Sequence, residues 1–333
     1  MKTMVQRLDQ VLSSFSIKPV LVDVGASGKI HTSWGQLAPA SLCLGFDPDS
    51  RELPTSFAST YSTAILEPSA IVPDVGQPTV RLNLTRSPYC SSLLIPDQTE
   101  IQDYCFKDHF DIIGQVEVPA TTLDLMIGKH GLDRIDWLKL DTQGIDLAIL
   151  QSLSGTTLRR LKVVEVEPGF RSFYVGEQRF DQLHGYMVEQ GFLLAALSCQ
   201  EFAPVPSETV STISKATGLT KSHVVSLAGR MPTAAEATYV RKPGFYGEAQ
   251  DETDCMVHIA CACALGQYSF AIHLIELARL TFRQADPLLD ALQAHAVSTA
   301  AALRPSPSLR SRLRSRLPRV IIGMLQRLKA AGR

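Results

Sequence analysis

No run of eighteen or so apolar residues occurs in this 333-residue chain, so a membrane-spanning helix is not expected. Seven cysteines is an odd number, at spacings that build no small disulfide scaffold, and reduced thiols in a cytoplasmic protein fit that usage. The first residues, MKTMVQRLD, lack the apolar stretch of a signal peptide and read as the start of an amphipathic helix. A basic excess is missing too. The formal net charge is −1, and the nine basic residues from Ala291 onward face no acid, so residues 1–290 carry −10 from 23 Lys and Arg against 33 acids. An acidic body argues against nucleic acid as its main partner. With 45% hydrophobic residues the chain can bury a large core, as one sizeable domain with an appendage or as two domains.

One further lack is informative. Residues 21–28 read LVDVGASG, a strand-like apolar run ending in an acid and a tight turn, but only Gly25 and Gly28 are present. Dinucleotide-binding loops usually carry three glycines, so that the backbone can crowd a pyrophosphate. The two-glycine form, D-x-G-x-x-G, resembles the loop of S-adenosylmethionine-dependent methyltransferases. That cofactor has no phosphate, and a helix N-terminus can receive its methionine carboxylate instead. Residues 42–49, LCLGFDPD, follow about twenty residues on and set Asp47 where an open α/β sheet presents a carboxylate to ribose hydroxyls. Residues 137–144, WLKLDTQG, repeat the pattern of an apolar run, an acid and a glycine.

Between these markers the pattern predicts alternating strands and helices. Met4, Leu8, Val11, Leu12 and Phe15 recur at helical spacing before Pro19. Residues 51–118 hold short strand-like pieces at 62–66, 79–84 and 112–118, read as a third strand and then an insertion over the carboxyl edge of the sheet. A helix begins within 119–124, where Thr121 and Asp124 form a weak capping box and Gly131 ends it. The helix after residues 137–140 is expected to present Ile145, Ala148, Ile149, Ser152 and Leu153 on one face. A strand at 161–166, a helix at 180–190 and strands at 192–197 and 236–241 complete the set, with the Ser/Thr-rich stretch 204–220 as a long loop. The expected architecture is a doubly wound, mostly parallel α/β sheet of seven strands with one antiparallel edge strand. Three apolar helices follow in 251–303.

Assembled, these features resemble the FkbM family of S-adenosylmethionine-dependent methyltransferases over roughly residues 18 to 245. The most specific stretch is VPATTLD at 118–124 leading through HGLDRIDWLKLDTQG at 130–144. Ser91-Ser-Leu-Leu, Val164-Glu-Val-Glu167, residues 180–184 (FDQLH) and 237–241 (ATYVR) also fit. Gln143 departs from the glutamate that many members carry. The resemblance implies a class I methyltransferase (Rossmann-like) fold and O-methylation of hydroxyls, often on sugars or polyketide-type scaffolds. The implied division is a methyltransferase domain at 1–245, a helical extension at 246–303 and a basic amphipathic or disordered tail at 304–333.

Methyl transfer from a sulfonium is chiefly positioning work, and a hydroxyl acceptor must also lose its proton to a base or a metal. Asp141 is the first candidate to orient or deprotonate the acceptor, with capping of the next helix as the alternative. Lys139 shares its face, so an ion pair between them is open as well. Glu165 and Glu167 also share a face, one functional and the other a rim charge, and Glu167 is taken as the catalytic candidate. His31 either approaches the acceptor or is an idle loop histidine. The cofactor set is Asp23, Gly25, Gly28, Asp47 and Leu66, with S-adenosylmethionine as the cofactor. A divalent metal has no clear ligand motif. C-x-x-H-x-x-C-x-C at 255–263 invites one, yet Cys261 and Cys263 fall on opposite sides of a helix. The expected partner is a small-molecule or glycan acceptor, with the oligomeric state open. Leucines and Ile321 form a stripe among arginines in 309–328, which suits peripheral contact with an anionic membrane surface or docking on the acidic body.

Overall fold

The structure, a computed structural model, describes residues 7–26, 32–49, 51, 57–244, 251–282 and 286–303. Its strands are β1 (Val20–Val24), β2 (Leu42–Phe46), β3 (Thr63–Glu67), β4 (Ala70–Ile71), β5 (Thr79–Thr85), β6 (Ile112–Thr121), β7 (Trp137–Leu140), β8 (Val163–Val166), β9 (Phe192–Phe202) and β10 (Met231–Arg241). Its α-helices are α1 (Leu8–Ser14), α2 (Phe57–Thr60), α3 (Gln98–Ile101), α4 (Leu123–Lys129), α5 (Asp146–Ser152), α6 (Gly155–Arg160), α7 (Phe180–Glu189), α8 (Ser207–Thr217), α9 (Lys221–Leu227), α10 (Glu252–Ala264), α11 (Tyr268–Thr281) and α12 (Asp286–Ala302).

Seven strands form one sheet in the order β3-β2-β1-β7-β8-β10-β9. From β3 to β8 the pairs are parallel, and β10 runs antiparallel to both β8 and β9. The antiparallel strand is therefore not the edge, as expected from the sequence. It is inserted between β8 and β9, and β9 takes the edge. The strands are apolar on both faces because helices cover both. Leu21, Cys43, Trp137 and Val163 pack toward α1 and α10–α12, while Val22, Leu44, Leu138 and Val164 pack toward α4, α5 and α7.

The three C-terminal helices share their apolar core with α1 and the sheet. A buried ionic cluster fastens them. Lys162, fully buried, lies 2.5 Å from Asp254 of α10 and 3.5 Å from Asp136, and Asp136 also accepts from the Val20 N–H at 2.8 Å. The Cys/His motif of α10 belongs to this core: His258, Cys261 and Cys263 are all buried.

Three local expectations are corrected. Thr122, not Thr121, caps α4, its hydroxyl accepting from the Leu125 N–H, because Thr121 is the last residue of β6. Asp124 accepts instead from Ser154 and Thr157 at the start of α6. The α5 face that packs is Leu147, Ile149 and Leu150, with Ile145 at the N-cap and Ser152 outside the buried set. The stretch 204–220 is mostly helix, α8, with α9 directly after it, and the two bury Val210 and Val224 against Ala203 and Val205. The insertion expected at 51–118 forms a separate three-stranded sheet, β4-β6-β5.

Candidate active site

The chain reverses its direction of travel across the sheet between β1 and β7. It runs outward through β2 and β3, then returns to place β7 on the other side of β1. A crevice opens at the carboxyl ends of strands that diverge in this way. Here it is a cleft of about 770 Å³ lined by Gly25, Phe46, Asp47, Asp49, Ile71, Tyr89, Ser92, Asp141 and Gln143, among others.

Gly25 begins the turn after β1 with φ +84°, and a Cβ there would overlap the Asp141 carbonyl oxygen. Its N–H donates to the Phe46 carbonyl at 2.9 Å, and the Asp141 N–H donates to that of Val24 at 2.9 Å. The turn after β1 and the end of β7 thus touch through backbone alone, which only glycine permits. Gly28 and His31 lie outside the described residues.

Asp47 follows β2. Its Oδ1 accepts from the Asp49 N–H at 2.8 Å, closing a small Asx turn. Burial pushes its carboxyl up to about 6, with Asp49, Asp23 and Asp141 adding to the shift and the Asp49 hydrogen bond opposing it. Asp49 is committed elsewhere: it pairs with Arg51 at 2.5 Å, and Arg51 reaches Ser91 Oγ at 2.9 Å. The turn is therefore both structural and a carboxylate aimed at the cleft.

Asp23 and Leu66 do not line this cleft. Register places Asp23 beside Gly45 and Lys139, and Leu66 beside Gly45. Asp23 is buried beneath the site with Lys139 Nζ 3.4 Å away, and Leu66 packs into the helix-side core. The turn from β3 to β4 supplies Ser69 and Ala70 to the cleft instead.

Asp141 is at the cleft wall. It does not cap α5, which has no side-chain cap. Its carboxylate accepts from Gln143 Nε2 at 2.7 Å and lies 3.8 Å from Lys139 Nζ. Although burial opposes the charge, Asp23, Asp141 and Glu167 hold the Lys139 ammonium above its ordinary range.

Glu165 and Glu167 border one neighbouring cavity of about 680 Å³, with Lys139, Ser198, Glu236 and Thr238. Glu165 is not a rim charge. It is buried and accepts from the Trp137 indole N–H at 2.8 Å. Burial, then Asp141, pushes the Glu167 carboxyl up to about 8.

Residues that sequence reasoning missed complete the site. Asp146 is buried, which raises its carboxyl, and it accepts from the Thr142 hydroxyl and from the N–H groups of Thr142 and Glu167. It ties the turn after β7 to the end of β8. Ser92 and Tyr174 reach Gln143 from distant loops. An acid just inside a helix start is a cap-like signal that could have flagged Asp146. The loop contacts leave no sequence signal.

Among the described residues no group of three His, Cys, Asp or Glu side chains is placed to hold a metal ion, and no helix is long and apolar enough to cross a membrane. A family model for the methyltransferase FkbM domain matches residues 79–194. Over that stretch the chain is similar to the FkbM methyltransferase domain. No curated protein matches the chain. The matched stretch runs from β5 into β9 and contains Asp141, Gln143, Glu167 and Tyr174, whereas Gly25 and Asp47 precede it.

Proposed function

We propose that the protein transfers a methyl group from S-adenosylmethionine to a hydroxyl, on a sugar or glycan acceptor. The observation that carries this reading is the convergence of Gly25, Asp47 and Asp141 on one cleft at the switch point of the sheet, in a chain similar over 79–194 to a methyltransferase domain. The residues fit the cofactor. Gly25 makes a cradle that a Cβ would fill, the exposed Tyr89 ring offers apolar surface for a purine, and Asp47 Oδ2 is available to ribose hydroxyls.

When bound, the cofactor supplies a methyl on a sulfonium, an already activated leaving group. The chain's own work is orientation and proton removal. Asp141 at the cleft wall orients the acceptor hydroxyl. Glu167, whose carboxyl is raised to about 8, serves in its ionised form as the base from the adjoining cavity.

Calorimetric titration with S-adenosylmethionine and with S-adenosylhomocysteine, wild type beside Asp47→Ala, tests the cofactor. Binding near micromolar, about −8 kcal/mol, that the variant loses supports the reading. No binding of either ligand to the wild type overturns it and leaves a binding scaffold that keeps the fold. Labelled methyl transfer to a panel of glycosides then tests the acceptor class.

A further inference from the structure

Gln143 holds φ +56°, in the left-handed region that side chains rarely adopt, and Gly144 follows at φ +117°. Backbone conformation explains the glycine, since side chains rarely adopt φ +117°. It does not explain Gln143, because a glycine would hold the same backbone without strain. The side chain does. Nε2 donates to Asp141 Oδ1 at 2.7 Å, Oε1 accepts from the Tyr174 hydroxyl at 3.0 Å, and the main-chain carbonyl accepts from Ser92 Oγ at 2.7 Å.

The donor and acceptor inventory makes this arrangement specific. A carboxylate only accepts, and a phenol has one proton to give. The residue beside Asp141 must therefore donate to it, which a carboxamide does and an ionised carboxylate does not, while the carboxamide oxygen is left to share the phenol's proton. Tyr174 is a firm anchor. It is buried against Phe110, with ring centroids 5.7 Å apart, and its one hydroxyl proton is shared between Gln143 Oε1 and the Cys90 carbonyl, 2.8 Å away.

We infer that Gln143 is a positioning residue that holds the Asp141 carboxylate at the cleft wall and ties it to Tyr174. The purpose of that hold, aligning an acceptor, rests on the methyl-transfer reading; the hold itself does not. The charged groups around Asp141 are Lys139 on β7, Asp47 after β2, Asp146 on α5 and Glu167 after β8. None of them changes in the variants below.

The test is a carboxyl-¹³C NMR titration of aspartate-labelled protein with no cofactor present, the Asp141 signal assigned with Asp141→Asn. Gln143→Glu should shift the Asp141 transition to higher pH, because two carboxyls at hydrogen-bond distance disfavour each other's ionisation. Gln143→Gly, which suits the backbone and so keeps the fold, should also shift it upward by losing the donor. Tyr174→Phe keeps the donor but frees its anchor and should give a smaller shift in the same direction. An Asp141 transition unchanged in both Gln143 variants overturns the inference. Since no cofactor enters the titration, that failure is separate from a failure of S-adenosylmethionine to bind.

Discussion

Replacing Asp47 with asparagine should stabilise the protein at neutral pH and weaken cofactor binding in the same step. The carboxyl rises from 3.8 to about 6 on folding, chiefly through burial. Above pH 6 both the native and unfolded states are ionised, and only the native state holds that charge away from water. A rise of about two units corresponds to about 3 kcal/mol of native-state destabilisation there. On acidification the native state takes up its proton first, so stability is regained as pH falls from about 6 to about 4. Asparagine never carries the charge, and its oxygen can still accept from the Asp49 N–H. The variant's advantage is then about 3 kcal/mol at pH 7.5 and about 1 kcal/mol at pH 4.5.

Urea unfolding of both proteins at the two pH values reads this difference directly. Calorimetry with S-adenosylhomocysteine at pH 7.5 reads the functional side. Two charge-assisted hydrogen bonds to ribose, at about 1.5 kcal/mol each, correspond to a loss on the order of 150-fold in affinity. An Asp47→Asn protein less stable than wild type at pH 7.5, or an advantage that does not shrink at pH 4.5, refutes the desolvation argument. Unchanged ligand affinity refutes the ribose assignment on its own.

Gly25→Ala places a methyl against the Asp141 carbonyl at φ +84° and should cost about 2–3 kcal/mol in urea unfolding while removing cofactor binding. Because the Glu167 carboxyl sits at about 8, the rate of methyl transfer should rise with pH through about 8, and Glu167→Gln should flatten that limb of the profile. Lys162→Met takes the ammonium from between buried Asp136 and Asp254, which keep Arg134 and Arg160 at 3.1 Å each. It should cost about 1–3 kcal/mol and open α10–α12 to limited proteolysis before the sheet.

The strands that build the site were legible because each is an apolar run ended by an acid or a turn. β1, β2 and β7 lie where LVDVG, LCLGFD and WLKLD predict them. Faces were less legible than strands. Asp23 and Leu66 are near the right strand ends, but the register turns both toward the helix-side core, and a shift of one residue reverses a side chain. α8 and α9 were missed because each buries a single valine, too few apolar positions to show a helical period against a Ser/Thr-rich background. The order of β9 and β10 was missed for another reason. Their alternation is the same whichever of the two lies outermost, and only the pairing with β8 decides. Gln143 was visible as an unusual residue, yet its partners Ser92 and Tyr174 come from loops that only the folded chain brings near.

The two halves of the site meet at one point. Gly25 and Asp47 belong to the strands before the stretch matched by the methyltransferase domain, and Asp141, Gln143 and Glu167 lie within it. What joins them is backbone contact, the Gly25 turn lying against the Asp141 carbonyl while the Asp141 N–H bonds Val24. No side chain intervenes, so a displacement of the turn after β1 has no flexible group to absorb it and must move the end of β7. Asp141 is in turn clamped by Gln143, Ser92 and Tyr174 through the chain of hydrogen bonds described above. A ligand that settles against Gly25 and Asp47 therefore presses on a wall whose far side is already held, which favours alignment over accommodation. That rigidity is what methyl transfer needs, since its barrier depends on bringing two reacting atoms into line rather than on generating a reactive group.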